Sequence, residues 1–374
     1  MGTLIFQTLK KMVLWRVQKM SRAEMAQLAN HHFGQPSQQL MVIGVTGTNG
    51  KTTVVSLVQQ CLNNLGFHCE CSGTLTSSLT TPESLDLQAR MADHVANGGT
   101  HFVMEVSSHG IAQHRVNEVA FDIKALTNLG QDHLDFHGSI QNYHQTKTEF
   151  LNTGDAKSVT QESVSDISIP SVCQHWPQFH QENIQIVIGI LYECGLTDTQ
   201  LEPVYAKLRL PEGRFEEICL GQPYSVIIDF AHTPGGLERA LMEAKKMAHQ
   251  QQGQLTVVFG CGGEREREKR PLMGRIAQQI ADTVILTLDN PRSESPDQIQ
   301  SDILAGIKSA ENVTRKDCRQ SAIQYAIHGA KDNDVILIAG KGHESYQILK
   351  EKKQPFNDRE VASKQIKERH GYFN

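Results

Sequence analysis

Short apolar runs separated by longer amphipathic stretches set the pattern of this chain. The first run, MVIGVT at 41–46, is followed by Val54, Leu57, Val58, Cys61, Leu62 and Leu65 at helical spacing. An uninterrupted run of that length predicts a strand buried on both faces, and the 3.6-residue period predicts a helix with one apolar face. Further strands are predicted over 102–106 and 121–126. The stretch 152–181 is polar, rich in Ser and Gln and without periodicity, so it reads as a loop or a shortened connection. A helix is predicted over 183–194. A second series then begins: strand 224–230, helix 234–249, strand 255–259, helix 271–281, strand 283–288, helix 298–310 and strand 335–339. Strands alternating with helices predict parallel sheets, with chemistry placed at the C-terminal ends of the strands.

The length of 374 residues fits two domains and a remnant of a third. A chain that is 39% hydrophobic and 21% charged has the make-up of an ordinary globular protein, and a net charge of −5 argues against a nucleic-acid-binding surface. No apolar run approaches the ~20 residues that cross a bilayer. The N-terminus, MGTLIFQTLKKMVLWRVQKMSR, is basic and lacks acidic residues. Lys10, Lys11, Arg16 and Lys19 break up its apolar positions, so it is not a secretory signal; a leader helix, a poorly ordered leader and a membrane-surface or targeting helix stay open. Eight cysteines form no C-x-x-C pair, and Cys69 and Cys71 are too close for a zinc knuckle. Reduced, buried thiols in a cytoplasmic protein are the expectation.

The most specific local signal follows the first strand: Gly47-Thr48-Asn49-Gly50-Lys51-Thr52-Thr53. A glycine turn between strand and helix brings backbone N–H groups and a helix N-terminus to phosphate oxygens, and Lys51 supplies compensating charge. Thr52 or Thr53 is placed to hold Mg²⁺. The spacing departs from the usual phosphate-loop pattern, since Gly44 stands one residue too far from Gly50. Glu105 ends a strand, where a carboxylate can bind a metal. His133, in QDHLDFHG, is a second candidate, set against the blander reading of a packed or surface histidine.

Taken together, GVTGTNGKTT, TTPESLD, MEVSSHGIAQHRV, TNLGQDHLDFHGSIQNYHQTK, DFAHTPGGLERAL, VFGCGGEREREKRPLMG, DNPRSE and AGKGHESYQ resemble successive motifs of the Mur ligases, and the last four resemble those of the MurE class. The resemblance spans most of 40–150 and 183–362. It implies a P-loop ATPase-type parallel-sheet central domain over 41–213, shortened near 152–181, and a Rossmann-like α/β domain over 214–374. The implied activity is ATP-dependent amide-bond formation through an acyl phosphate in peptidoglycan precursor synthesis, with ATP and Mg²⁺ as cofactors. Lys51, Glu105, His133 and Lys147 match catalytic positions; Thr52, Glu105, His133 and a carbamylated Lys147 match the metal positions. Gly47 to Thr53, Asn183, Arg214 and His232 match nucleotide contacts. Thr80, Thr81, Ser108 and Arg115 match contacts to the muramoyl dipeptide. Arg270, Asp289, Asn290, Arg292, Gly340 and Glu344 match the pocket for the incoming amino acid. In DNPR-type members of the family the arginine grips the distal carboxylate of meso-diaminopimelate, so Arg292 implies that substrate.

Two departures from the family pattern qualify these expectations. Residues 1–40 resemble at most a leader and the end of a domain that binds the uridine nucleotide, so a partner protein supplying that domain is one possibility. The family also carries further strands where this chain has 152–181, whose loss is expected to leave a sheet edge uncovered. Three readings follow: a MurE-type ligase, an amide ligase acting on another carboxylate, and a non-catalytic relative that binds nucleotide or amino acid.

Overall fold

The computed structural model of the chain describes residues 20–350 and 352–371, and the basic leader before Met20 lies outside them. The chain divides into two units. The first takes in residues up to Leu129, His144–Trp176 and His180–Arg209; the second takes in Gly130–Tyr143, Pro177–Phe179 and the chain from Leu210 onward.

In the first unit, β1 (Met41–Thr46), β2 (Cys69–Ser72), β3 (His101–Glu105), β4 (Ile123–Leu126) and β5 (Lys157–Thr160) form one sheet in the order β2-β3-β1-β4-β5. All its pairings are parallel. Both faces are covered, which explains the apolar runs. Val42, Phe102 and Met104 pack with Leu87 and Met91 of the helix Ser84–Ala96. Ile43, Val45 and Val103 pack on the other face with Leu57, Val58 and Leu62 of the helix Lys51–Asn64, and with Ile184, Val187 and Leu191 of the helix Gln178–Glu193. Each such side chain, fully buried, contributes about 1.5–3 kcal/mol. The register sets Val45 beside both Glu105 and Ala125, so the loops after β1, β3 and β4 leave the sheet at one level.

The stretch 152–181 is more ordered than its composition suggests. It contributes β5, which pairs in parallel with β4, and Val159, Val164 and Cys173 join the core. Gly189 marks the closeness of this packing, because a Cβ there would lie 2.5 Å from Val164 and 3.0 Å from Val159. β5 is nevertheless an edge strand with two exposed residues, as the shortened connection implied.

The second unit holds a six-stranded sheet. Its strands are β6 (Glu216–Glu217), β7 (Ser225–Asp229), β8 (Leu255–Phe259), β9 (Thr283–Leu286), β10 (Val313–Arg315) and β11 (Val335–Ala339), in the order β10-β9-β8-β11-β7-β6. Only β6 runs antiparallel. A hairpin of β12 (Tyr346–Leu349) and β13 (Lys352–Pro355) stands apart from it. The predicted helix 298–310 is shorter, Pro296–Leu304. It stops where Gly306 passes so close to the Pro271 carbonyl that a Cβ would lie 1.8 Å away. The pattern gave no sign of β6, β10, the hairpin, or the helices Arg319–Gly329 and Asp358–His370.

Candidate active site

The loop after β1 is built by glycines that no other residue could replace cheaply. Gly47 (φ 142°) lies against Thr127, with a would-be Cβ 1.9 Å from its hydroxyl, and Gly50 (φ 87°) lies against Asn183, with a would-be Cβ 2.4 Å from its Oδ1. Thr127 and Asn128, just past β4, pin the loop from beside: Thr127 Oγ1 donates to Asn49 O (2.6 Å), Asn128 Nδ2 donates to Asn49 O (3.0 Å), and Asn128 accepts from Asn49 N (3.0 Å) and Thr48 N (3.0 Å). The helix Lys51–Asn64 begins at Gly50 with no side-chain cap, and the partial positive charge of such a helix start favours an anion. Lys51 Nζ donates to Gly47 O (2.8 Å) and Thr48 O (3.0 Å). Lys147, buried on the helix Ile140–Asn152, donates to the same Gly47 O (2.9 Å). Thr52 Oγ1 donates to Glu105 Oε1 (3.0 Å), which also accepts from Thr74 N (2.8 Å), while Thr74 Oγ1 donates to Glu105 Oε2 (3.2 Å). Thr53 is buried in the same helix. The structure thus brings Lys51, Thr52, Glu105, Lys147 and Asn183 together at one end of the sheet.

A second group adjoins the end of β3. Thr81 Oγ1 accepts from Ser107 N (2.9 Å) and donates to Glu105 O (3.0 Å). Thr80 Oγ1 shares a hydrogen bond with Thr74 Oγ1 (3.3 Å), and Ser108 is buried at the start of the short helix Ser108–Ala112. Arg115 donates to Thr81 O (2.7 Å) and pairs with Glu83 (3.1 Å).

His133 belongs to the second unit. Its Nε2 lies 3.3 Å from Asp132 Oδ2, and His232 Nε2 lies 3.6 Å from the same oxygen. Lys269 Nζ donates to Asp132 Oδ1 (3.1 Å). Burial alone raises the Asp132 carboxyl, but the His232 imidazole, Lys269 and His133 outweigh it and hold the group well below the usual range. Asp132 therefore orients both histidines. The Arg214 guanidinium lies over the Phe230 ring, 4.4 Å from its centroid, and His232 Nδ1 meets Phe230 O at 2.9 Å.

The DNPR and GKGHE segments meet past β9 and β11. Asn290 N donates to Asp289 Oδ1 (2.6 Å), and Asn290 Nδ2 donates to Glu344 Oε2 (2.9 Å). Gly340 (φ 114°) packs on Asp289, where a Cβ would lie 2.8 Å from Oδ2. Arg292 takes up a left-handed backbone (φ 54°), and its Nη1 donates to Gly263 O (2.6 Å) and Asn290 O (3.3 Å). Gly262 underlies it; a Cβ there would lie 3.1 Å from Nη1. Arg270 is wholly buried and held by Asp302 (2.9 Å) and Glu294 (2.9 Å), so in this structure its charge is already matched by two carboxylates.

Sequence reasoning did not select Thr74, Thr127, Asn128, Asp132, Lys269 or Lys341. Thr127, Asn128 and Asp132 stand at a strand end within a quoted motif, which is a usable signal. A lysine in a glycine-rich turn, such as Lys341, reads as surface. Among the described residues there is no disulfide, and Cys61, Cys69, Cys173 and Cys261 are buried, with burial first pushing the Cys61 thiol up to about 12.

Comparison with known proteins places this arrangement. The Mur ligase middle domain matches residues 45–167, and the Mur ligase, glutamate ligase domain matches residues 213–342. The chain belongs to the Mur ligase family. It is 37% identical to the UDP-N-acetylmuramoyl-L-alanyl-D-glutamate--2,6-diaminopimelate ligase of Caldanaerobacter subterraneus subsp. tengcongensis, over 93% of this chain and 82% of that protein. It is 39% identical to the enzyme of the same name from Synechococcus elongatus, over 91% of this chain and 80% of that protein. A solved structure of a ligase of this name aligns with a TM-score of 0.55 at 29% identity, covering 93% of this chain and 83% of that one. The MurF ligase of Thermotoga maritima in complex with ADP shares the fold, with a TM-score of 0.63 at 18% identity over 94% and 83% of the two chains.

Proposed function

We propose that this chain is an ATP-dependent amide ligase that joins meso-diaminopimelate to the free carboxylate of a muramoyl dipeptide in peptidoglycan precursor synthesis. The observation that carries this reading is the pocket past β9 and β11, which offers a guanidinium (Arg292) and a carboxylate (Glu344) on a frame fixed by Asp289 and Asn290. An amino acid with both a carboxylate and an ammonium at its far end is the ligand that such a pair suits.

The first unit supplies the activating half. The substrate carboxylate attacks the γ-phosphoryl group of ATP, giving an acyl phosphate and ADP; the amine then attacks the acyl carbon and phosphate leaves. The loop N–H groups and Lys51 hold the transferring charge. Thr52 and Glu105 are hard oxygen donors 3.0 Å apart. They suit Mg²⁺, which keeps most of its shell for water and phosphate. An ion held there would screen the phosphoryl charge. Thr80, Thr81, Ser108 and Arg115 are assigned to the muramoyl dipeptide, with Arg115 as the cation for its carboxylates. Arg214 and His232 are assigned to the nucleotide, and His133 and a carbamylated Lys147 to the metal.

The test is release of phosphate from ATP, measured with meso-diaminopimelate and a panel of muramoyl dipeptides with and without the UDP group. Release that requires both substrates, and that falls at least ~100-fold in a folded Lys51→Ala variant, is expected. Release with a different carboxylate only would point to another amide ligase. No acceptor-dependent release, or full activity of Lys51→Ala, would overturn the proposal.

A further inference from the structure

Lys341 is the most completely buried ammonium group in the second unit, and the reaction as described gives it no task. It lies between Gly340 (φ 114°) and Gly342 (φ 52°), two left-handed positions that turn its side chain inward. Neither glycine has room for a Cβ: one would lie 2.8 Å from Asp289 Oδ2, the other 2.7 Å from Gly213 O. The backbone here is built to aim this one side chain. Its Nζ donates to Glu344 Oε2 (2.6 Å) and Asn290 Oδ1 (3.2 Å), and Asn290 Nδ2 donates to the same Oε2 (2.9 Å). Asn290 Oδ1 is itself fixed by Ile348 N (2.8 Å). Glu344 Oε2 is therefore saturated, while Oε1 accepts no bond among the described residues on a side chain that is 20% exposed.

The opposite charge in the pocket is anchored separately, since Arg292 is tied to two main-chain carbonyls. Arg292 and Glu344 form no ion pair among the described residues, although the Glu344 charge acts on Arg292. A half-buried pocket with an unattached guanidinium and an unattached carboxylate would close on itself, because the attraction is strong at low dielectric. Both groups would then be lost to a ligand that needs them.

We propose that Lys341 is a positioning residue that holds Glu344 away from Arg292, so that the carboxylate and the guanidinium both stay available to the far end of the incoming amino acid. This rests on the reading of the pocket given above. It makes Lys341 a determinant of specificity without contact with the ligand: it keeps a self-cancelling pair apart.

The experiment is calorimetric binding to the full chain, with a non-hydrolysable ATP analogue present, of meso-diaminopimelate and of 2-aminopimelate. The second ligand keeps the far carboxylate but has no far amine, so it has no reason to touch Glu344. In Lys341→Met, Glu344 swings to Arg292, and 2-aminopimelate should bind at least roughly tenfold more weakly, about 1.4 kcal/mol. Adding Glu344→Gln removes the competitor, and affinity for 2-aminopimelate should return to that of Glu344→Gln alone. A lysine that merely fills space would give a loss that the second substitution does not repair, and that result, or no loss at all, would overturn the proposal. Should Lys341→Met fail to fold, Glu344→Gln alone decides: unchanged affinity for 2-aminopimelate supports the separation, and a tenfold gain means that Glu344 already occupied Arg292. Absence of meso-diaminopimelate binding by the unmutated chain would overturn the functional reading, and this inference with it. Binding that is insensitive to these substitutions overturns the inference alone.

Discussion

On the proposed reading of the pocket, replacing Arg292 with alanine removes the group that would distinguish meso-diaminopimelate from lysine. The two amino acids share the reacting end and the far amine, and differ by one distal carboxylate. Arg292 is half-buried, and among the described residues its Nη1 alone is engaged, by Gly263 O and Asn290 O, so Nε and Nη2 are placed for a two-point contact. Burial and then the Arg265 charge push its pKa down, but a guanidinium stays ionised at neutral pH. A charge-assisted pair in such a setting, with the cost of leaving one partner bare, is worth on the order of 2–4 kcal/mol. The unmutated chain should therefore prefer meso-diaminopimelate over lysine by roughly 30- to 1000-fold in kcat/KM. Arg292→Ala should erase most of that preference, and Arg292→Lys should restore only part of it, because an ammonium cannot reproduce the planar fork. Competition of the two amino acids in one tube, read by product mass, measures the ratio directly. Equal use of lysine by the unmutated chain, or an unchanged ratio in Arg292→Ala, would refute the reasoning.

Three further outcomes are expected. Lys147→Ala should be nearly inactive and partly rescued by added short carboxylic acids that replace a carbamate; full activity of the variant removes Lys147 from the site. Burial, then the charges of Arg214 and Lys341, push His343 down to about 4, and its Nδ1 has no partner among the described residues. An unfolded histidine titrates near 6.5, so below that pH the unfolded chain binds the extra proton first; stability is fully present above about 6.5 and falls by on the order of 2–3 kcal/mol as pH drops toward 4. His343→Gln should flatten that part of the pH dependence of urea midpoints, and an unaltered slope assigns it elsewhere. Gly189→Ala gains about 1 kcal/mol of helix propensity but drives a Cβ to 2.5 Å from Val164. Overpacking of about 1–3 kcal/mol should make the variant less stable on balance, and a raised melting temperature would mean that 157–164 packs loosely.

The parts of the fold legible in the sequence are those whose signal is local. β1, β8 and β11 are mostly apolar runs because both faces of their sheets are covered, and the glycine loop announces itself between strand and helix. The stretch 152–181 carries no strand signal because few side chains, Val159, Val164 and Cys173 among them, hold it to the core, too few for any period to emerge. β2, with Glu70 and Ser72 among four residues, and β13, which is wholly exposed, carry too little apolar pattern to be read as strands. The candidate site divides in the same way. Glu105 stands at a strand end and could be chosen from sequence, but its bonds to Thr52 and Thr74 depend on the register of β3 against β1. That Asp132 holds two histidines, or that Lys341 holds Glu344, depends on turns whose direction is set by left-handed residues.

Both units use one physical device: side chains with opposite or like charge are held where they would not rest in water, by bonds to the backbone or to a neighbouring side chain. In the first unit Lys51 and Lys147 converge on a single carbonyl, Gly47 O. Two ammonium groups drawn to one acceptor repel each other, and negative charge beside them lowers that repulsion. On the proposed reading, nucleotide phosphate would do this from outside, and carbamylation of Lys147 would do it from within, since it would turn one of the two cations into an anion facing the other. The second unit inverts the problem: there Arg292 and Glu344 would attract and cancel, and Lys341 and the Gly263 carbonyl keep them apart. On this reading, the electrostatic free energy of one unit is repulsion that an anion lowers. In the other it is attraction withheld until a ligand with both charges completes each half separately, and this is why a substrate lacking either charge should bind as if it had lost one contact rather than two.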